Sequence, residues 1–351
     1  MTVDVEPRDA SSGYPVTWSP AGFSESRGQR LVCTLCPHGC TLAPGQVGFC
    51  QVRRNRGGTL ETATFSTSVE HLTSVERKPL YHYRPGLKVL TLAAPGCSFA
   101  CHYCQNYRIS QYGRSVSASG AARAVDVEAM VGRAAAENAA IGLSYSEPSL
   151  APELTLALAD AGRRCGVEVL WKTNGFLELQ AARSLASHIA AANIDIKSLC
   201  PQKHRALTGA DPRPVLETLQ TFRDAGVWLE VSTPLIPKIN TDRPSLRAIA
   251  ESIAAVDTRI PWHLVRFNPD YKMKRSVPTT NEQFAAARQI GHASGLEFVY
   301  VERAFGEKGR ATCCPGCRSV AIERGIWKLA ALHLDSGCCR RCGAEIPGCW
   351  N

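Results

Sequence analysis

No run of about 18 apolar residues occurs in the chain, and no apolar signal-type core follows Met1. Neither a membrane span nor export is therefore expected. A dense basic block is also missing. Forty basic residues against 31 acidic ones leave a net charge of +9, but they are scattered. The one short run, Arg53-Arg54-Asn55-Arg56, reads as solvated surface. A basic face suits nucleic acid or an acidic electron donor. Without a dense patch, nucleic acid is not the expected partner. The chain is also too long for a disulfide-stapled mini-protein, and eleven of its 16 cysteines fall into metal-spaced groups. A reducing cytoplasm fits that usage. The 351 residues, 44% of them hydrophobic, leave room for one barrel with small appendages.

One further absence is informative. Cys97-Ser-Phe-Ala-Cys101-His-Tyr-Cys104 sets three thiols at x3 and x2 spacing, and the next cysteine is Cys165. Soft thiolates at this spacing suit an iron–sulfur cluster, which normally takes four. Three leave one iron open for a ligand that is not protein. A zinc site short of one ligand, or three ordinary core cysteines, are the plainer alternatives. The tight spacing argues against the second.

The loop follows Lys88-Val-Leu-Thr-Leu-Ala-Ala, an apolar run that reads as a buried strand ended by Pro95-Gly96. Further strands are expected at 141–145, 167–173, 192–197, 227–234, 262–267 and 296–302. Helical patterns occupy 126–139, 149–164, 178–189, 214–225, 245–255 and 281–294. This alternation predicts parallel βαβ units in an α/β partial barrel of the (β/α)6 type, spanning 88–306. Chemistry in such barrels sits at the C-terminal ends of the strands.

Two other cysteine groups flank the barrel. After a polar, loosely ordered lead-in over 1–30, Cys33, Cys36, Cys40 and Cys50 lie in a module expected over 31–87. Four thiols among glycines and prolines can close around a zinc ion or an auxiliary iron–sulfur cluster, and spacing does not separate the two. His38 is a competing ligand. Cys314-Pro-Gly-Cys317 and Cys339-Arg-Arg-Cys342 read as a zinc ribbon over 307–351, with Cys313 and Cys338 as a register alternative.

The strand-plus-cysteine element resembles the radical S-adenosylmethionine (SAM) superfamily. The chain from about 31 to 350 resembles one of its families, the AmmeMemoRadiSam-system enzymes, relatives of the pyruvate formate-lyase activating enzymes. The resemblance rests on Cys36-Pro-His-Gly-Cys40, Glu76-Arg-Lys-Pro-Leu-Tyr-His-Tyr-Arg-Pro-Gly86, Cys97 to Asn106, Ser146-Glu-Pro148 and Asn193-Ile-Asp-Ile-Lys197. It continues in Val227-Trp-Leu-Glu-Val231, Pro261-Trp-His263, Pro269-Asp-Tyr-Lys-Met273 and Ile346-Pro-Gly-Cys-Trp350. It implies a [4Fe-4S] cluster on Cys97, Cys101 and Cys104, with SAM on the open iron. Tyr103 would lie beside the adenine. Ser146 and Glu147 would meet the SAM amino group, although Glu147-Pro148 also reads as a helix start. Asn174, at the end of the third strand, joins the cofactor set. Asp195 and Lys197 would contact SAM, or form a plain salt bridge between strands. Glu230 and Arg266 would face the lumen, meeting SAM or substrate or each other.

Three positions depart from the family pattern: Asn268 where a histidine is usual, Glu302-Arg303 after the last strand, and Asn240-Thr241-Asp242. All lie where substrate would bind. The implied reaction is reductive cleavage of SAM to a 5′-deoxyadenosyl radical, which takes hydrogen from a protein, peptide or small molecule. A low-potential donor, flavodoxin or ferredoxin, is implied. Two rivals stand beside this reading. One is an activator of a glycyl-radical enzyme. The other is a non-catalytic zinc-ribbon protein that binds nucleic acid.

Overall fold

The computed structural model describes residues 17–114, 122–302 and 305–351. Residues 1–16 of the expected lead-in and Arg303 lie outside them. Glu70–Ser74 (β1) runs antiparallel to Lys88–Leu92 (β2). Six parallel strands follow: Ala139–Leu143 (β3), Val169–Thr173 (β4), Ala191–Asp195 (β5), Trp228–Leu235 (β6), Trp262–Arg266 (β7) and Val299–Val301 (β8). All eight form one sheet in the order β8-β7-β6-β5-β4-β3-β2-β1, so each strand pairs with its chain neighbours. The edges β1 and β8 do not pair, and the barrel stays open between them.

The crossovers are helical: Val127–Ala136 (α1), Pro152–Arg163 (α2), Leu179–Ala186 (α3), Pro201–Thr208 (α4), Arg213–Asp224 (α5), Arg243–Val256 (α6) and Asn281–Ala293 (α7). Their starts follow capping chemistry. Asp126 and Asp242 accept from the backbone N–H three residues on. Thr280 and Gln283 form a capping box. The polar helix α4 was not expected from its pattern. It begins at Pro201 and ends on left-handed Gly209.

Alternation along the strands divides the apolar residues in two. Leu90, Ile141, Trp171 and Ile194 face the helices. Val89, Ala140, Leu170 and Ala191 face inward onto Val75, Leu80 and Tyr83. The segment 75–87 is thus the floor of the barrel, and β1 is its edge strand. The sequence pattern had grouped both with the N-terminal module. Pro79 O accepts from Asn193 Nδ2 at 2.6 Å, and the His82 N–H donates to Glu230 Oε1 at 2.7 Å. The chain's end closes the floor from below: the Cys349 N–H donates to His82 O at 2.8 Å.

The C-terminal ribbon packs Ile322, Leu334 and Ile346 against Tyr81, Phe298 and Tyr300. In the N-terminal module Arg53 is buried, contrary to the solvated reading. It pairs with Glu153 of α2 at 3.1 Å, because Arg53–Arg56 is a strand with alternating burial. Among the described residues no helix is long and apolar enough to cross a membrane.

Candidate metal and cofactor site

Gly96 turns the chain out of β2 with φ +89°, and Cys97, Cys101 and Cys104 follow at the C-terminal end of the barrel. Backbone bonds fix this loop. The N–H groups of Ala100 and His102 donate to Thr208 O and Leu207 O at the end of α4, at 2.7 and 3.0 Å. The sulfurs carry donors: Phe99 N at 3.3 Å and Asn174 Nδ2 at 3.6 Å on Cys97, and Ser110 Oγ at 3.1 Å from Cys104 Sγ. Burial pushes the Cys97 thiol well up and Cys101 to about 12. These thiols therefore stay protonated until a metal takes them. Tyr103 Oη is buried and, among the described residues, has no hydrogen-bond partner. Its ring packs edge-on against Phe267 and under the Lys197 ammonium, 6.0 Å from the centroid. Soft thiols with N–H and O–H donors, beside an orphaned buried hydroxyl, fit an iron–sulfur cluster with a further organic ligand.

Across the lumen Asp195 accepts from both Lys172 and Lys197, the latter at 2.9 Å. Burial alone would raise the Asp195 carboxyl, but the two ammoniums outweigh it and hold it at about 2. Lys172 also donates to Asn193 Oδ1 at 2.6 Å. Lys172 received no role from the sequence. Its period-two register with Asn174 was the available signal.

Glu147 is committed to protein donors. Ser149 N and Thr173 Oγ1 reach Oε1 at 2.9 and 2.5 Å, and Asn174 N reaches Oε2 at 2.8 Å. One acceptor position remains, on Oε2. Glu147 acts first as the strut of the Asn174 turn. Asn174 in turn holds Ser98 Oγ at 3.0 Å and Cys97 Sγ. Ser146 is half-buried beside it. Arg266 does not face the lumen. Its neighbour on the inward face is His263, so Arg266 turns outward to Thr279 O at 2.6 Å and over Phe284. Glu230 points inward but is closed off below by His263 Nε2 at 2.5 Å and His82 N, not by Arg266. Asn240, in the third departure, is buried and holds Pro234 O and Lys197 O with its amide.

At the ribbon, Cys314, Cys317, Cys339 and Cys342 place their sulfurs within 4.8 Å of one another. The 314–342 and 317–339 pairs lie 3.5 and 3.8 Å apart. A tetrahedron of zinc–thiolate bonds of about 2.3 Å has edges of about 3.8 Å. A Cβ added at Gly316 would crowd Ala344 Cβ at 3.1 Å and sit in ordinary contact with Cys342 Sγ and Cys314 Sγ, at 3.5 and 3.7 Å. Backbone N–H groups of Arg341 and Cys342 hold the Cys339 thiol down to about 6. Cys313 and Cys338 lie outside this group. Cys33, Cys36, Cys40 and Cys50 line one cavity under the barrel loop. His38 turns its Nε2 to Ser98 O at 2.7 Å and stacks on Phe49.

A model of the Radical SAM superfamily matches residues 92–246. An uncharacterized protein of Methanocaldococcus jannaschii is 32% identical over 322 residues, covering 90% of this chain and 95% of that protein. The isethionate sulfite-lyase activating enzyme of Oleidesulfovibrio alaskensis is 31% identical over 128 residues, 35% of this chain and 41% of that enzyme. The benzylsuccinate synthase activating enzyme of Thauera aromatica is 28% identical over 112 residues, 32% and 34%. Among solved structures, a domain of a pyruvate-formate lyase-activating enzyme from Bacteroides vulgatus aligns with 46% of this chain and 98% of its own, at 21% identity and TM-score 0.39.

Proposed function

Because this chain belongs to the radical SAM superfamily, we propose that it holds a [4Fe-4S] cluster on Cys97, Cys101 and Cys104 and uses SAM to abstract hydrogen from a substrate in the barrel lumen. The observation that carries this is the three-thiol loop at the C-terminal end of β2, facing the Lys172–Asp195–Lys197 group across the lumen. When bound, the pair supplies reductive opening of the SAM sulfonium and a 5′-deoxyadenosyl radical for hydrogen abstraction. The chain's own residues do the rest. Asn174 and Ser110 orient Cys97 and Cys104 and stabilise negative charge on their sulfurs. Asp195 stays ionised and offers a carboxylate to an ammonium, while Lys197 and Lys172 offer cations to a carboxylate. Tyr103 supplies an apolar face with one free hydroxyl. The floor at 75–87 keeps water from entering below.

The partial matches to activating enzymes favour a protein substrate and an external low-potential donor of the flavodoxin or ferredoxin class. The finer placement among AmmeMemoRadiSam enzymes rests on the Glu76–Gly86 run, which here builds the floor. Sixteen unpaired cysteines favour a reducing compartment. The narrow sulfur tetrahedron of the ribbon supports zinc there. The test is anaerobic reconstitution followed by dithionite. Release of 5′-deoxyadenosine is expected, and it should vanish when Cys97, Cys101 and Cys104 are changed together to Ala. Unchanged release from the triple variant would sink the assignment.

A further inference from the structure

Two cysteine groups sit back to back across a very short gap. A Cβ added to Gly96 would lie 2.7 Å from Val52 Cγ1 and 3.0 Å from Cys50 O, so the N-terminal cysteine loop touches the chain beside Cys97. One guanidinium then joins them. Arg114 donates to Phe49 O at 3.0 Å through Nε, to Cys97 O at 3.0 Å through Nη2, and to Phe99 O at 3.0 Å through Nη1. Its cation also lies 4.0 Å over the Phe49 ring. His38, between Cys36 and Cys40 in sequence, reaches the same loop through Ser98 O. Gly113, next to Arg114, is held against Gln51; an added Cβ would lie 2.8 Å from its Cβ.

The N-terminal thiols are arranged unlike the ribbon's. Among the described residues, the ribbon is the one group of three or more metal-ligating side chains whose donor atoms all lie within 4.8 Å of one another. Cys33, Cys36, Cys40 and Cys50 instead line one small cavity with their sulfurs spread more widely than the ribbon's, and four cysteines are the usual ligand set of an iron–sulfur cluster. Three of the four are buried, and the cavity is also lined by Leu35, Leu42 and Leu150. A low-polarity wall around thiolates sets the potential of a redox centre.

We infer that Cys33, Cys36, Cys40 and Cys50 hold a second iron–sulfur cluster, and that this cluster passes electrons to the one on Cys97, Cys101 and Cys104. The relay rests on the function proposed above; the metal site itself does not. One electron leaves a reduced flavodoxin- or ferredoxin-class protein and reduces the N-terminal cluster. That cluster is reoxidised as the central one is reduced. No bond is made or broken in either transfer. The Arg114 cation, hydrogen-bonded on both sides, stabilises the added negative charge on each centre.

The variant with Cys97, Cys101 and Cys104 changed to Ala isolates the N-terminal site. After anaerobic reconstitution with iron and sulfide, it is expected to retain a cluster and to give an iron–sulfur EPR signal with dithionite. Adding Cys36→Ala and Cys50→Ala should remove that signal and leave zinc at the ribbon. A triple variant that holds zinc but no iron overturns the site. In the wild type, full reduction should broaden the EPR spectrum through coupling of two adjacent spins; two uncoupled signals overturn the relay. With the central thiols intact, Cys36→Ala/Cys50→Ala should keep dithionite-driven SAM cleavage but lose at least tenfold in cleavage driven by reduced ferredoxin. Equal losses with both reductants, or none with either, count against the relay. Dithionite-driven cleavage by the wild type reads the proposed function separately.

Discussion

Asn174 Nδ2 lies 3.6 Å from Cys97 Sγ, so an amide at the end of β4 supports a ligand that belongs to the loop after β2. The contact spans 77 positions of sequence and depends on Glu147, which accepts from the Asn174 N–H. Neighbouring strands of the barrel thus fix the proposed cluster ligand through a carboxylate and an amide.

Changing Asn174 to Ala should lower the reduction potential of the central cluster. The reduced state carries more negative charge on sulfur and loses more when an N–H donor goes. A hydrogen bond worth about 1 kcal/mol corresponds to a drop of about 40 mV for one electron. Redox titration followed by EPR reads this directly. An unchanged potential at full iron content would reduce Asn174 to a loop-packing residue.

Asp195→Asn should destabilise the fold in a pH-dependent way. The folded carboxyl is held at about 2, below its ordinary value of 3.8. Its stabilisation is therefore present above about pH 4 and fades as pH falls toward 2. The shift corresponds to about 2–3 kcal/mol at neutral pH, with a further cost for leaving Lys172 and Lys197 unpaired. Urea unfolding of wild type and variant at pH 7 and pH 3.5 should show the gap narrowing with acid. A constant gap would assign the loss to packing.

Lys78 is the opposite case. It is buried on the floor segment and its ammonium faces the Tyr145 ring at 5.0 Å; among the described residues no carboxylate pairs with it. Burial, with Arg77 nearby, lowers it to about 7. The unfolded chain then binds more protons between about pH 7 and 10.5, so stability should rise with pH across that window. Lys78→Met should remove the rise and be the more stable protein at pH 6, by up to about 5 kcal/mol. Wild type and variant with parallel pH profiles would contradict this.

The barrel was legible because its strands are buried on both faces and read as continuous apolar runs of β-branched and small residues. The expected strand at 141–145 is observed at Ala139–Leu143, and that at 192–197 at Ala191–Asp195. The ribbon cysteines, whose sulfurs the structure gathers within 4.8 Å, were legible from spacing alone. The floor was not. Glu76–Gly86 has no periodicity, since each residue answers to a different partner: Asn193 for Pro79, Glu230 for His82, Arg324 for Tyr81. Arg266 was misread for a related reason. Polarity at a strand end suggested the lumen, but the parity set by His263 decides the face, and His263 is inward because Glu230 holds it. Arg114 escaped notice because it lies beyond the motif in a turn, where sequence carries no directional signal.

The ribbon was read as a module of its own over 307–351, and the structure ties it to the barrel. Arg324 is fully buried beneath the floor. It donates to Tyr81 O at 2.5 Å, Arg310 O at 3.0 Å and Thr312 Oγ1 at 2.8 Å, and its cation lies 4.4 Å over the Tyr81 ring. Tyr300 Oη, from β8, meets the same Thr312 hydroxyl at 2.7 Å. Removing Arg324 takes the donor from the Tyr81 and Arg310 carbonyls, while Thr312 keeps Tyr300, so Arg324→Met should cost about 2–4 kcal/mol. The four-thiolate zinc site proposed for the ribbon would hold the strands that carry this arginine. Cys317→Ser should therefore lose one zinc per chain and lower the melting temperature without changing the iron content of the folded fraction. Dithionite-driven cleavage of SAM per folded molecule should survive at low temperature, because the ribbon meets the floor and not the cysteine loop. Lost cleavage at an unchanged melting temperature would make the ribbon part of the catalytic machinery instead.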